Sequence, residues 1–243
     1  MDPRGKVALV TGSGKRVGRS LAMALGKAGC NVAVHYGKSQ TEAEETAAAI
    51  RDSGTDAITV QTELRDPSEI ERAMGSVVDR LGPVEILVNN ASIFDKVSLD
   101  ETDVELWDRH FAVNTRAPFL LAQAMSRALP NRTTGKIINL NDWRTARPTR
   151  FAYGVSKSAL SGLTKSLAVA LAPNVQVNEI SLGAILPPSD IPVDRPRDQI
   201  QTDLGPADRM GTLKEVSEVM MMLISNDFIT GESIYVDGGR HIY

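Results

Sequence analysis

Two spacings of apolar residues alternate along the chain. Short β-branched runs recur, and longer alanine-rich amphipathic stretches separate them. The runs "VALVT" (7–11), "NVAVHY" (31–36), "AITVQ" (57–61), "EILVN" (85–89), "KIINL" (136–140), "VQVNEI" (175–180) and "SIYVD" (233–237) predict seven strands, with helices between them. Runs such as "EILVN" show no apolar/polar alternation, which suits strands covered on both faces. Parallel strands need long crossovers, and helices supply them. The pattern therefore predicts an α/β fold: a doubly wound, seven-stranded parallel sheet flanked by helices on both faces.

At 243 residues, 42% hydrophobic and 23% charged, the chain can bury a core and fits one domain over 1–243. The segment at about 181–210, rich in proline and aspartate, reads as a substrate loop beside the site, or else as a disordered insertion. A net charge of -3 and a pI near 5.7 give no general attraction to nucleic acid or to an anionic membrane. Cys30 stands alone, which excludes an internal disulfide and fits a reducing compartment; it reads as a small buried hydrophobe. His35, His110 and His241 are scattered, so no metal is expected. The N-terminal apolar run is too short for a signal sequence and no stretch is long enough to span a membrane, so the expectation is a soluble, cytoplasmic protein.

Directly after the first strand comes "TGSGKRVGRSLAMALGKAG", where Gly12, Gly14 and Gly18 precede and open a helix. Glycine permits a tight turn and close backbone approach, and a new helix presents free N–H groups and a positive dipole end to a pyrophosphate. At this position such a turn marks a Rossmann-type dinucleotide site. The second strand ends in "VHYGKSQTE", without the acid that an NAD-preferring site places on the adenosine ribose. Lys38 and Ser39 stand there instead, with Lys15 and Arg16 as further donors, chemistry suited to a 2′-phosphate. The expected cofactor is NADPH.

In "FAYGVSKSALSGLTKSLAVALAP" Tyr153 and Lys157 are four residues apart, on one face of one helix. A nearby ammonium and a positive nicotinamide would lower the tyrosine pKa and make Tyr153 a proton donor near neutral pH.

These segments, with "NNAS" (89–92), "VNTRAP" (113–118) and the terminal "VDGG" (236–239), resemble the short-chain dehydrogenase/reductase family along essentially the whole chain. The resemblance implies a cofactor site formed by Gly12, Ser13, Arg16, Val17, Gly18, Tyr36, Lys38, Ser39, Glu63, Leu64, Asn90, Ala91, Ser92, Tyr153, Lys157 and Gly183. It implies that Asn90 and Ala91 contact the adenosine side, that Lys157 holds the nicotinamide ribose, and that Asn114 supports the active-site architecture and proton relay. Homotetramers are common in the family, with the helices of Asn114 and Tyr153 as interface elements. Two positions depart from its pattern: Arg16 replaces the usual middle glycine, and Glu63 replaces the usual aspartate.

Most members carry a serine about thirteen residues before the tyrosine, but "INLNDWRTARPTRFAY" contains none, and Asp142 is the replacement. An aspartate in that role, Arg16, "HY" followed by a basic residue and serine, Phe94 beyond "NNAS", and "DGGRH" together resemble the pteridine reductases and their dihydromonapterin and dihydrofolate reductase-like relatives. This implies a pterin site of Arg16, Phe94, Asp142 and Tyr153, with the ring stacked between an aromatic side chain and the nicotinamide, a hydride from NADPH reducing a ring C=N bond, and Tyr153 and Asp142 delivering protons. Asp142 precedes Tyr153 by 11 residues, two fewer than usual, so either the loop is shorter or the aspartate is displaced. Trp143 could cover the substrate or pack at a subunit interface. The alternatives are a carbonyl reductase such as a 3-oxoacyl thioester reductase, and a non-catalytic NADPH-binding sensor.

Overall fold

The computed structural model describes residues 1–187 and 204–242. Seven strands form one sheet: β1 (Val7–Val10), β2 (Asn31–Tyr36), β3 (Ala57–Gln61), β4 (Val84–Asn89), β5 (Gly135–Asp142), β6 (Val175–Leu182) and β7 (Ser233–Val236). Their order is β3-β2-β1-β4-β5-β6-β7, and every neighbouring pair is parallel. The order reverses between β1 and β4, which opens a crevice at the carboxyl ends of those strands. Among the described residues seven helices connect them: α1 (Arg16–Lys27), α2 (Gln40–Asp52), α3 (Pro67–Leu81), α4 (Val104–Phe111), α5 (Ala117–Ala128), α6 (Phe151–Ala170) and α7 (Leu213–Ser225).

Each face of the sheet has its own apolar layer. Leu21 and Leu25 of α1, Ile50 of α2 and Met220 and Leu223 of α7 cover one face. Ile70 and Met74 of α3, Leu121 and Met125 of α5 and Leu167 of α6 cover the other. A fully buried aliphatic side chain contributes about 1.5–3 kcal/mol, so these two layers drive the sandwich. The helix starts are set locally. Asp66 caps α3 by accepting from the Ser68 and Glu69 N–H groups, and Thr212 and Glu215 form a reciprocal capping box on α7.

Two strands outrun their apolar runs. β5 continues through Asn141 to Asp142, and β6 through Ser181 to Leu182, with Asp142 opposite Leu182. The predicted loop at 181–210 thus begins as strand, and its residues 188–203 lie outside the described residues. No described helix is long and apolar enough to cross a membrane.

Candidate active site

The turn after β1 is held from three sides. Gly12 has φ +62°, and a Cβ there would press on Ala91 at 3.1 Å; one at Gly18 would collide with the Gly12 carbonyl oxygen and the Asn90 amide. Thr11 Oγ1 accepts the Asn90 and Ala91 N–H groups at 2.9 and 3.0 Å. The Asn90 side chain donates back to the Thr11 and Gly12 carbonyls at 2.8 and 3.1 Å. Below the turn, His35 Nδ1 accepts from the Gly12 N–H at 2.9 Å, while Nε2 faces the Thr62 carbonyl at 3.2 Å. Accepting on Nδ1 requires the neutral ring, and burial pulls the His35 pKa down to about 4. This buried latch was not anticipated; the signal was one histidine in the otherwise apolar run "NVAVHY".

Several residues expected at the cofactor site have side chains enclosed in the fold. Ser13 is fully buried and gives its hydroxyl to the Val10 carbonyl at 2.7 Å. The Tyr36 side chain is packed in the core, Leu64 is buried, and Val17 packs against the core. Asn90 spends its amide donors on the turn. Gly183 is pressed against Asp237 and gives its N–H to Val236. The groups that face outward fit an anionic dinucleotide. The N-terminus of α1 carries no side-chain cap, which leaves backbone N–H groups for a pyrophosphate. Lys38 is exposed and Ser39 half-buried at the end of β2. Lys15 turns instead to Glu42 at 3.8 Å, and Glu63 pairs with Arg65 at 2.9 Å, a hydrogen bond that lowers the Glu63 pKa.

Arg16 reaches the segment after β6. Its backbone is left-handed at φ +56°, which explains why glycine is usual there, and its guanidinium donates to the Pro187 carbonyl, bridging the turn to the segment after β6.

At the carboxyl ends of β4 to β6 the side chains carry the chemistry. Tyr153 lies in the first turn of α6, and its hydroxyl donates to Asp142 Oδ2 at 3.0 Å. The short loop thus brings Asp142 to the phenol rather than away from it. Gly154 shows how tight the fit is: a Cβ there would strike the Thr145 carbonyl. Asp142 Oδ1 is taken by Arg147 at 2.6 Å and by the Arg144 N–H at 2.8 Å. Arg147 was not singled out from the sequence, where it is one of several arginines in "WRTARPTR".

The protein's own groups around Tyr153 act against the expected lowering of its pKa. Burial, then the neighbouring Asp142 carboxylate, push it well above its usual value, with Arg147 and Arg150 opposing. Lys157 is fully enclosed, donates to the Leu140 carbonyl at 2.8 Å, and is pulled down to about 8 by burial.

Asn114 sits in a π-helical turn, Ala112–Arg116, between α4 and α5. Its amide binds the Ile93 N–H, the Ile93 carbonyl, the Ser92 hydroxyl and the Ser156 hydroxyl at 3.0–3.1 Å. It therefore positions the loop after β4 against α6. Phe94 packs edge-on to Tyr153 with ring centres 4.5 Å apart. The Arg150 guanidinium lies 3.5 Å over the Phe94 ring, so a planar substrate could stack only on its other face. Trp143 is covered by Arg240 at 4.3 Å, which brings the terminal "DGGRH" segment to the end of β5.

A reversed-order parallel sheet, a glycine turn opening α1 and a Tyr-Lys pair on α6 define a nucleotide-dependent oxidoreductase of the Rossmann type. Residues 12–241 match the family model described as enoyl-(acyl carrier protein) reductase. The chain is 33% identical to versicolorin reductase stcU of Emericella nidulans, over 97% of this chain and 95% of that protein. It is 32% identical to the 3-oxoacyl-[acyl-carrier-protein] reductase FabG of Staphylococcus aureus, over 98% of both. Among solved structures, FolM alternative dihydrofolate reductase 1 from Brucella canis, complexed with NADP, superposes with a TM-score of 0.88 at 38% identity, covering 98% of this chain and 95% of that one. A blue fluorescent protein from a metagenomic library, in complex with NADPH, reaches 0.89 at 30% identity, over 98% and 99%. The chain belongs to the short-chain dehydrogenase/reductase family.

Proposed function

We propose that this protein is an NADPH-dependent reductase of a pterin or dihydrofolate-type ring. The observation that carries this reading is the Asp142 carboxylate bonded to the Tyr153 hydroxyl at 3.0 Å. A serine in that place can donate to a carbonyl oxygen, whereas a carboxylate only accepts. Asp142, paired with Arg147, therefore repels a bare carbonyl and favours a ring that presents N–H donors. An aminopterin edge presents such donors beside a flat surface for Phe94. The likeness to FolM of Brucella canis supports the same reading.

When bound, NADPH supplies the hydride that goes to the carbon of a ring C=N bond. Tyr153 gives its proton to the ring nitrogen, so the bond becomes CH–NH and the phenol becomes a phenolate. Asp142 aims the phenol, and Arg147 fixes Asp142. Lys38 and Ser39 take the 2′-phosphate, and Lys157 holds the ribose hydroxyls. The exposed Phe119 of α5 and Val169 of α6 mark the faces we assign to a homotetramer, which sedimentation would test.

The likeness to FabG favours a second reading, reduction of a 3-oxoacyl thioester. NADPH consumption with dihydrobiopterin, dihydromonapterin, dihydrofolate and an acetoacetyl thioester, for wild type and Asp142→Ser, separates the two. Pterin turnover lost in Asp142→Ser is the expected result. Turnover of the thioester alone, unchanged or improved in Asp142→Ser, sinks the pterin reading. Tight NADPH binding with no turnover of any of the four would point to a sensor.

A further inference from the structure

Beneath the site, the acid Glu179 lies in the middle of β6, 3% exposed, among amide and hydroxyl side chains. Asn141 Nδ2 donates to Oε2 at 3.0 Å, Ser161 Oγ to Oε1 at 2.9 Å, and Thr164 Oγ1 approaches Oε2 at 3.3 Å. Asn141 and Ser161 are both donors to this carboxyl group, whereas the Thr164 hydroxyl has its shorter bond to the Leu160 carbonyl at 2.9 Å. Asn141 carries the contact onward: its Nδ2 also meets the Lys157 carbonyl at 3.2 Å, and its Oδ1 accepts the Asp142 N–H at 2.9 Å. One amide therefore joins Glu179 to both residues that frame Tyr153.

We propose that Glu179, through Asn141 and through its own charge, is a positioning residue that keeps Lys157 an ammonium and Asp142 aimed at Tyr153. A fully enclosed ammonium needs negative charge nearby. The charged groups that act on Lys157 are Asp142 from β5 and Glu179 from β6, while Arg147 and Arg150 act on the phenol. Asp142 and Glu179 both favour the charged lysine, and Asp142 already shares its charge with Arg147. Around Glu179, β5 offers Asn139 and Asn141, β7 offers Ser233, and α6 offers Ser161, Thr164 and Lys157. No ion pair is formed by Glu179 among the described residues.

The inference rests on Lys157 belonging to the reductase site, and its test is read without substrate. In lysine-labelled protein, NMR follows the Lys157 side chain through the neutral and alkaline range. Glu179→Gln should move its midpoint to lower pH by about one unit, and the alkaline limb of kcat/KM with dihydrobiopterin should move with it. The glutamine of that variant can turn its oxygen to Asn141 and its amide to Ser161, so the charge is lost while the contact survives, and a second protein carries Glu179→Gln with Asn141→Asp. That pair returns a negative charge beside Lys157 and should return the midpoint to the wild-type value or above. An unmoved midpoint in Glu179→Gln, or one still lowered in the double variant, overturns the proposal. Inactivity toward every pterin, with the midpoints behaving as expected, would instead remove only the substrate reading.

Discussion

His35 under the phosphate turn and Lys157 under the catalytic phenol are both enclosed bases, and the two regions treat the charge differently. His35 is neutral at working pH because its Nδ1 must accept from Gly12. Lys157 is held charged, next to carboxylates, with one backbone carbonyl as acceptor. The nucleotide end is thus shaped by sterics and neutral hydrogen bonds, and the reducing end by charges kept out of water. A binding turn needs only its form, whereas a reducing site must hold an uneven charge distribution ready before substrate arrives.

Breaking the reducing end has the largest expected effect. Tyr153→Phe should lower kcat by about 10²–10⁴-fold while leaving NADPH affinity, read by fluorescence, near wild type. Equal losses in both would mean that the two ends are not separable.

Acid should act on the nucleotide end. The folded His35 pKa of about 4 lies below its usual 6.5, so between those values the unfolded chain binds more protons and stability falls as pH falls. The full contribution is present above 6.5, and about 3 kcal/mol is lost by pH 4. Denaturant unfolding of wild type against His35→Gln should show this slope in the wild type and a reduced one in the variant.

At the reducing end the shift has the same sign in another window. Lys157 titrates near 8 when folded and near 10.5 otherwise, so stability rises as pH rises between them, and at neutral pH the charged lysine costs the fold about 3 kcal/mol. Lys157→Met should therefore raise stability by about 1–3 kcal/mol while abolishing turnover. A lower melting temperature would show that the ammonium's hydrogen bond outweighs its burial.

The smallest change tests the edge of the nucleotide site. Lys38→Ala should reduce the preference for NADPH over NADH by about tenfold, near 1.4 kcal/mol, as seen in the ratio of kcat/KM values. An unaltered ratio would return Lys38 to the role of a solvated surface lysine.

The same contrast explains what could be read from the chain beforehand. The inner strands follow from β-branched runs because burial on both faces imposes a continuous apolar pattern, and the partly exposed edge strands β3 and β7 follow from the same residue types. The glycine turn is legible for a related reason: Gly12 and Gly18 stand where a Cβ has no room. The reducing end is written in polar residues that the apolar pattern treats as strand ends. Asn141 and Asp142 looked like the start of a loop, yet they finish β5 and set the phenol's partner. Arg147 and Glu179 act through contacts between segments distant in sequence or across a short loop, and their neighbours give no local spacing to recognise. An acid within "VQVNEI" and a histidine within "NVAVHY" were the available signals, since an ionisable group in a strand buried on both faces must have partners.

The π-helical turn at Ala112–Arg116 has a consequence for insertions and deletions. A π turn accommodates one residue more than an α turn of the same span. It lets Asn114 and Thr115 both reach Ser156 of α6, through the Ser156 hydroxyl and carbonyl. Deleting a single residue there would give a more regular helix by every local rule, while rotating α5 relative to α4 by about 100°. Asn114 would leave Ile93 and Ser156, and α5 would turn Leu121 and Met125 from the sheet. At this joint, chain length rather than residue identity is the quantity least free to vary.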